Sequence, residues 1–386
     1  MSPKFSSILS LKHPNTEIKS PLASFRRHFD ASSPIVLDSQ NLEGSPVNGH
    51  LFLNVNNIAI EARDVLVTLN VYITQKRPYK RGCKACHRYA LESKSHYVIT
   101  TSVVLKPGTH SFPFFFNVGS YLPPSMDTSL VAVTWELHTV ASIQPQGQLQ
   151  TIPRLYTYKR DLHVVRAIQV PLPIEPSRRL FPATGIENSC SYHPVMNKAG
   201  ANRVELTLSG LLSRPGNGET IHVWKLLKGS WWIEEKIETI AKACGAHCHI
   251  SCEKKQEVER HRKQTNILGR GEIYDGWTTN TNVNKVNLSF EYSLKKSKRS
   301  LSFDIKTGDK GETTLSHSLI IEVVLIKEHY PKGGSASPTR TGIARILRSS
   351  HSLFLSDYNR PFVYNQDQKG ELPCYGERAL YLPNYE

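Results

Sequence analysis

Leu105-Lys-Pro-Gly-Thr-His-Ser-Phe-Pro-Phe-Phe-Phe-Asn-Val-Gly-Ser-Tyr-Leu-Pro-Pro-Ser-Met126 is followed a few residues on by Val131-Ala-Val-Thr-Trp-Glu-Leu-His-Thr-Val-Ala141. Both runs alternate with the period of a strand, and the turn signal Pro107-Gly108 opens the first. Phe112, Phe114 and Phe116 share one face of an extended chain, because successive side chains of a strand point to opposite sides. Pro113 lacks a backbone donor, which suits a sheet edge or an irregular crossover. Pro123 and Pro124 stiffen the loop that carries the chain into the next strand.

Working outward, the same alternation recurs at Leu51-Phe-Leu-Asn-Val-Asn56, Val65 to Thr74, Val204 to Ser209, Val286 to Tyr292 and Leu319 to Ile326. Turn signals such as Pro215-Gly216-Asn217-Gly218 and Gly333-Gly334 separate the runs. Trp231 to Ala243 has some helical character, since Ile233, Ile237 and Ile240 fit one helix face. It sits among strands and reads as strand. The expected class is all-β, with the strands packed as sandwiches.

With 386 residues, the chain exceeds what one compact core usually holds. Apolar residues form 39% and charged residues 21%, a globular balance rather than a disordered one. The break falls at Val170-Pro-Leu-Pro-Ile-Glu-Pro-Ser-Arg-Arg-Leu-Phe-Pro182, too proline-rich for a central strand. Residues 1–30 read as loosely held, with a candidate edge strand at Phe5 to Leu11. A first domain over 31–169, a connector over 170–183, a second domain over 184–363 and a flexible tail over 364–386 follow. No apolar run has the ~20 residues of a membrane span and no secretory signal opens the chain, so an intracellular protein is expected.

The order of the opening segment resembles the arrestin N-domain: a glycine turn, an aromatic strand with Phe-Pro-Phe, a Leu-Pro-x-Ser loop, then a strand of Tyr-Glu-Leu type. The resemblance extends over most of the chain. Val65 to Arg77 is similar to the strand entering the long N-domain loop that arrestins call the finger loop. Ile221 to Ala243 enters an analogous long loop of the second half, ending near Tyr274. Within the family the chain is most similar to the fungal arrestin-related trafficking adaptors, of α-arrestin type. The resemblance implies two tandem arrestin-type sandwiches, no catalysis, and an adaptor that joins membrane transporters such as amino-acid permeases to a HECT-type ubiquitin ligase. It also implies a cytoplasmic protein recruited peripherally to plasma membrane, endosomes or Golgi.

The tail holds Glu371-Leu-Pro-Cys-Tyr-Gly-Glu377 and Tyr381-Leu-Pro-Asn-Tyr-Glu386. Leu372, Pro373 and Tyr375 form one Leu-Pro-x-Tyr core; Leu382, Pro383 and Tyr385 form another. A WW domain accepts a pre-formed polyproline II segment in an aromatic groove and the tyrosine ring in a second pocket. Leucine replaces the first proline of the usual Pro-Pro-x-Tyr ligand at both sites. At ordinary residue frequencies such a core arises about twice per ten thousand positions, so two in one short tail are not expected from composition.

Cys83-Lys-Ala-Cys86-His87 lies in the first long loop, and Cys244-Gly-Ala-His247-Cys248-His249-Ile-Ser-Cys252 in the second. Tetrahedral zinc commonly takes two such pairs. Cys83, Cys86, Cys244 and His247 are the preferred ligands of a structural zinc, with Cys248, His249 and Cys252 as substitutes. In arrestins both loops project onto the central crest, so the resemblance implies that an ion there would pin one domain to the other. Surface thiols and histidines on a cationic loop are the plainer alternative. Thioredoxin-like chemistry lacks its βαβ unit, and the deaminase pattern lacks its His-x-Glu. Cys190 and Cys374 have no evident partner.

Lysine and arginine total 48 against 33 acidic residues, a formal charge of +15. Lys76, Arg77, Lys80, Arg81, Lys84 and Arg88 crowd the first loop with no acid among them. Lys254 and Lys255 begin a second group that continues through Arg260, Arg262 and Lys263. Each charge near an anionic leaflet contributes on the order of 1 kcal/mol. Acidic cargo tails are an equally good target, and a solvated face is the bland reading. Nucleic acid is not expected, since no DNA- or RNA-binding signature appears. Ser337, followed by Pro338, is a candidate site for a proline-directed kinase. An arrestin-fold sorting scaffold without ligase recruitment is the competing function, and the two tail motifs argue against it. No nucleophile–base set or phosphate-binding glycine loop supports an enzyme, and no cofactor is required for chemistry.

Overall fold

The computed structural model describes residues 23–28, 35–38, 44–147, 153–167, 176–196, 200–213, 220–248, 259–280, 284–295, 304–307, 313–331 and 337–355. They form an all-β arrangement of arrestin type, with a single turn of helix at Lys84–His87 and another at 245–248. In the first half, Ala23–His28, Ser45–Val55 and Gly108–Val118 make one three-stranded sheet. A six-stranded sheet runs Arg154–Leu162, Val131–Pro145, Ile60–Gln75, Arg88–Ile99, with two short strands attached. Leu51, Leu53, Phe114 and Phe116 from the first sheet and Leu69, Ile73, Trp135 and Leu137 from the second close one apolar core. Burial is the main favourable term here, ~1.5–3 kcal/mol for each large apolar side chain.

The opening aromatic segment takes the place its chemistry dictates. Among the described residues Gly108–Val118 is an edge strand, the position in a sheet that best tolerates a residue such as Pro113 with no N–H to donate. Phe114 and Phe116 point inward while Phe115 is exposed. Phe114 lies opposite Gly49, and a Cβ at that glycine would stand 2.5 Å from the phenyl ring. The Leu-Pro-Pro-Ser loop is held by side-chain bonds: Trp135 Nε1 donates to Pro123 O at 3.0 Å, and Arg166 Nη2 donates to Leu122 O at 2.6 Å. Ser125 Oγ accepts from Val164 N at 3.0 Å and donates to Leu162 O at 3.2 Å. These bonds fix the crossover from one sheet to the other.

The second half repeats the plan. Ser177–Phe181, Ile186–Tyr192, Asn202–Ser209, Lys285–Tyr292 and Trp277–Asn280 form a five-stranded sheet. Facing it, Val195–Met196, Thr339–Leu355, Thr313–Pro331, Thr220–Lys242 and Leu212–Ser213 run side by side, with Glu259–Ile273 and Ile305–Thr307 attached. Leu206 and Val286 from one sheet meet Ile233, Leu319 and Leu347 from the other in a second core. The helical alternative for Trp231 to Ala243 does not survive. Trp231, Ile233, Glu235, Ile237, Thr239 and Ala241 are buried with period two, and Ile240 is not among them.

Two boundaries differ from the sequence reading. Ser177–Phe181, taken as connector, is an edge strand paired with Ile186–Tyr192, and the prolines at 176 and 182 flank it rather than interrupt it. The long loop expected to run as far as Tyr274 is mostly strand: Glu259–Ile273 pairs with Thr220–Lys242 from Ile273↔Gly229 to Glu259↔Lys242. The candidate edge strand at Phe5 to Leu11, residues 168–175 of the connector and the whole tail lie outside the described residues.

The halves touch. Ile237, Ile305 and Leu315 of the second half pack into the core of the first. Ser129 Oγ donates to Gln264 Oε1 at 2.6 Å. Among the described residues no helix is long and apolar enough to cross a membrane.

Candidate functional site: four ligands at two hairpin tips

Ile60–Gln75 and Arg88–Ile99 form one long hairpin, and Thr220–Lys242 with Glu259–Ile273 forms another. Each carries a Cys-x-x-Cys or Cys-x-x-His at its tip because each strand runs out into a single helical turn. Cys83 precedes the turn Lys84–His87, whose His87 N donates to Cys83 O at 3.0 Å. Cys244 precedes the turn at 245–248, with His247 N and Cys248 N donating to Cys244 O at 2.8 and 2.9 Å. A helical turn brings positions i and i+3 to one side, so each tip presents two donors together.

The two tips meet. Cys83 Sγ lies 3.7 Å from Cys244 Sγ, Cys86 Sγ 3.7 Å from His247 Nδ1, and Cys244 Sγ 3.1 Å from His247 Nδ1. All four donor atoms fall within 4.8 Å of one another, and the group could hold a metal ion. Cys86 is buried and the other three are half-buried. Tyr79 and Ala241 pack beside Cys86, and Arg260 stacks 5.0 Å over the Tyr79 ring. The Cys86 backbone N–H holds the Cys83 thiol below its ordinary pKa, whereas burial pushes Cys86 up. Of the substitutes, Cys248 is half-buried; His249 and Cys252 lie outside the described residues. Cys190 is fully enclosed in the second core, where burial pushes its thiol up to about 12.

The basic residues of the first loop divide into two sets. Arg77, Lys80, Arg81 and Lys84 are exposed. Lys76 pairs with Asp127 at 2.5 Å, and Arg88 pairs with the buried Glu136 while its guanidinium lies 4.0 Å over Tyr72. The sequence shows no acid in this loop, yet the fold brings Asp127 and Glu136 to it from two other strands of the same sheet, so Lys76 and Arg88 serve the structure. Lys263 pairs with Glu238 at 3.5 Å. Lys254 and Lys255 lie outside the described residues, and Ser337 is exposed.

Sequence reasoning missed a buried polar cluster where the halves meet. Glu235 and His317 are register partners in adjacent strands. His317 is enclosed, with Nε2 3.4 Å from Glu235 Oε2 and Nδ1 3.1 Å from Asp304 Oδ1. Its backbone N donates to the same Asp304 oxygen at 3.0 Å, and Asn266 Nδ2 donates to Glu235 Oε1 at 2.8 Å. Arg166 of the first half stands near Asp304, which offsets part of the desolvation that lowers its pKa. The one legible signal was a glutamate in the apolar alternation Trp231, Ile233, Glu235, Ile237.

Tandem β-sandwiches with a tied Leu-Pro-Pro-Ser crossover and two long hairpins meeting at their tips define an arrestin-type β protein. Residues 65–250 match the LDB19 family, described as arrestin N-terminal like. That stretch crosses from the first sandwich into the second and contains all four donors. Two uncharacterized proteins of Schizosaccharomyces pombe are similar along most of their length. One is 25% identical over 315 residues, 81% of this chain and 76% of the relative; the other is 24% identical over 323 residues, 83% of each. Protein LDB19 of Saccharomyces cerevisiae is 25% identical over 251 residues, which cover 59% of this chain but only 30% of that relative. The family match and the LDB19 relatives support an arrestin-like family for this chain.

Proposed function

We propose that this chain is a non-catalytic trafficking adaptor that holds the cytoplasmic tails of membrane transporters with its sandwiches and a WW-domain HECT ubiquitin ligase with its tail. Amino-acid permeases are the proposed cargo class, and ubiquitination followed by endocytosis and sorting is the outcome. The arrestin-type fold and the LDB19 match support the adaptor part. The observation that carries the ligase part is the pair of Leu-Pro-x-Tyr cores, Leu372-Pro373-x-Tyr375 and Leu382-Pro383-x-Tyr385, within the last 16 residues. Proline reduces the entropy lost on docking and tyrosine adds a large apolar face with a polar tip. Two weak sites on one tail raise the effective concentration for a ligase with several WW domains. On this reading the protein works in the cytoplasm and at the inner faces of plasma membrane, endosomes or Golgi, with anionic lipid as a further partner and nucleic acid as none.

The test is affinity purification of the full chain beside the double variant Tyr375→Ala, Tyr385→Ala. The variant is expected to lose the ligase and keep its cargo, and either single variant to keep part of the ligase. A double variant that retains the ligase would overturn the recruitment mechanism. Loss of the ligase with undiminished transporter clearance would favour the sorting-scaffold reading.

A further inference from the structure

We infer that Cys83, Cys86, Cys244 and His247 bind one zinc ion, and that this ion clasps the two sandwiches together at their hairpin tips. The inference stands apart from the adaptor reading, since it needs neither ligase nor cargo.

Geometry comes first. Zinc–sulfur bonds of about 2.3 Å and zinc–nitrogen bonds of about 2.0–2.1 Å give a tetrahedron with edges of roughly 3.5–3.8 Å. Two of the observed edges are 3.7 Å and a third is 3.1 Å, with no pair beyond 4.8 Å. Three sulfurs and one imidazole nitrogen form a soft donor set that selects zinc over magnesium or calcium. Four protein ligands leave no open position, which is the pattern of a structural rather than a catalytic site.

Packing supplies a second argument. Among the described residues the apolar cluster at the tips buries Tyr79, Cys86 and Ala241, with Cys83, Ala243 and Cys244 partly buried against it. A cluster that small buries too little apolar area to hold two hairpin ends in register, and structural metals commonly stabilise cores of this size. Thiol–thiol and thiol–imidazole hydrogen bonds account for each contact singly. They do not account for the convergence of two independent helical turns, one from each half, on a common point. Because Cys83 and Cys86 come from the first half and Cys244 and His247 from the second, the ion bridges 161 residues of sequence. It also fixes the turn that presents the exposed Lys80, Arg81 and Lys84.

The experiment uses the full chain purified under thiol reductant without chelator, and zinc alone as the probe. Elemental analysis is expected to give about one zinc per chain, as one four-ligand site requires. Cys83→Ser and Cys244→Ser should each lower the content at least ~10-fold, whereas Cys374→Ser in the tail should not change it. Cys244→His replaces one good ligand by another and should retain the metal even if the serine variants fold poorly. Cobalt(II) in place of zinc should give thiolate charge-transfer absorption and the intense visible bands of a tetrahedral site. In the metal-free protein, amide exchange should accelerate at residues 76–88 and 243–248 and stay unchanged in the sandwich cores. Three results would each overturn the inference: no metal bound or taken up by the reduced chain, a Cys83–Cys244 disulfide consuming those thiols, or full zinc content in both serine variants.

Discussion

Arg88 reaches across the intervening strand Ile60–Gln75 to Glu136 of Val131–Pro145 and holds a carboxylate that is 5% exposed. Lys159 reaches the same oxygen at 2.7 Å, so one buried anion has two cations, and the Tyr72 ring lies under the Arg88 guanidinium. The pair sits where the first hairpin leaves the sandwich. It couples the stability of the sheet to the base of the tip that carries Cys83 and Cys86.

Arg88→Ala is therefore expected to destabilise the first sandwich by about 1–3 kcal/mol. Removing one partner of a buried pair leaves an under-compensated charge, and Lys159 supplies only part of the compensation. Urea denaturation should show a lower midpoint with an unchanged slope. A wild-type midpoint would mean that Lys159 alone satisfies Glu136.

The loop after the aromatic strand gives a sharper test of the fold. Ser125→Ala leaves Val164 N–H and Leu162 C=O without the bonds they make to Oγ, and Trp135→Phe removes the donor to Pro123 O. Each is expected to cost about 1–3 kcal/mol, the desolvation penalty of an orphaned buried group. Gln264→Ala, at a contact on the exposed rim between the halves, should cost less than ~1 kcal/mol. Equal losses in all three would show that the crossover loop has no special weight.

How much of this was legible in the sequence follows from where the signal resides. The aromatic strand and its proline loop announced themselves because their residue types match an edge strand and a stiff crossover. The Cys-x-x-Cys and Cys-x-x-His pairs were legible as pairs, since local spacing determines them. Glu259–Ile273 was not legible as strand. Glu-Arg-His-Arg-Lys-Gln-Thr-Asn is polar on both faces, so no apolar alternation marks it. Its pairing comes from the ladder with Thr220–Lys242 instead. Asp304 and His317 join Glu235 only through strand register, a long-range property that no local pattern encodes. For the same reason the loop cations Lys76 and Arg88 looked free.

The buried histidines predict a stability profile with opposite slopes on its two sides. Burial alone would lower the His317 pKa, but hydrogen bonds and charge from Asp304 and Glu235 raise it above its ordinary value. A raised pKa means that His317 contributes fully below about 6.5 and that this stability is lost as pH rises through the higher folded value. Burial, aided by Arg179, lowers His351 to about 4. Its contribution is full above about 6.5 and is lost as pH falls towards that value. His317→Gln should flatten the alkaline decline and His351→Gln the acid decline, measured as urea midpoints from about pH 4 to about pH 9. Unaltered slopes in both variants would exclude these residues as the source.

The last prediction separates structural cations from those that face solvent. Among the described residues no carboxylate lies within ion-pair reach of Lys80, Arg81 or Lys84, whereas Lys76 and Arg88 are held by Asp127 and Glu136. The triple variant Lys80→Glu, Arg81→Glu, Lys84→Glu should weaken binding to phosphatidylserine-containing vesicles by at least ~3 kcal/mol at low salt, a hundredfold or more, since each surface charge contributes on the order of 1 kcal/mol. Arg88→Ala should leave vesicle binding nearly unchanged while lowering stability. Raising the salt should weaken the wild type steeply, because exposed charges are screened within ~10 Å at 0.1 M. Lys84 lies between Cys83 and Cys86, so zinc content is the necessary control: the triple variant should keep its metal while losing its lipid. Salt-insensitive binding would point to apolar insertion instead. Equal losses in the triple variant and in Arg88→Ala would mean that the fold does not divide the loop cations as described.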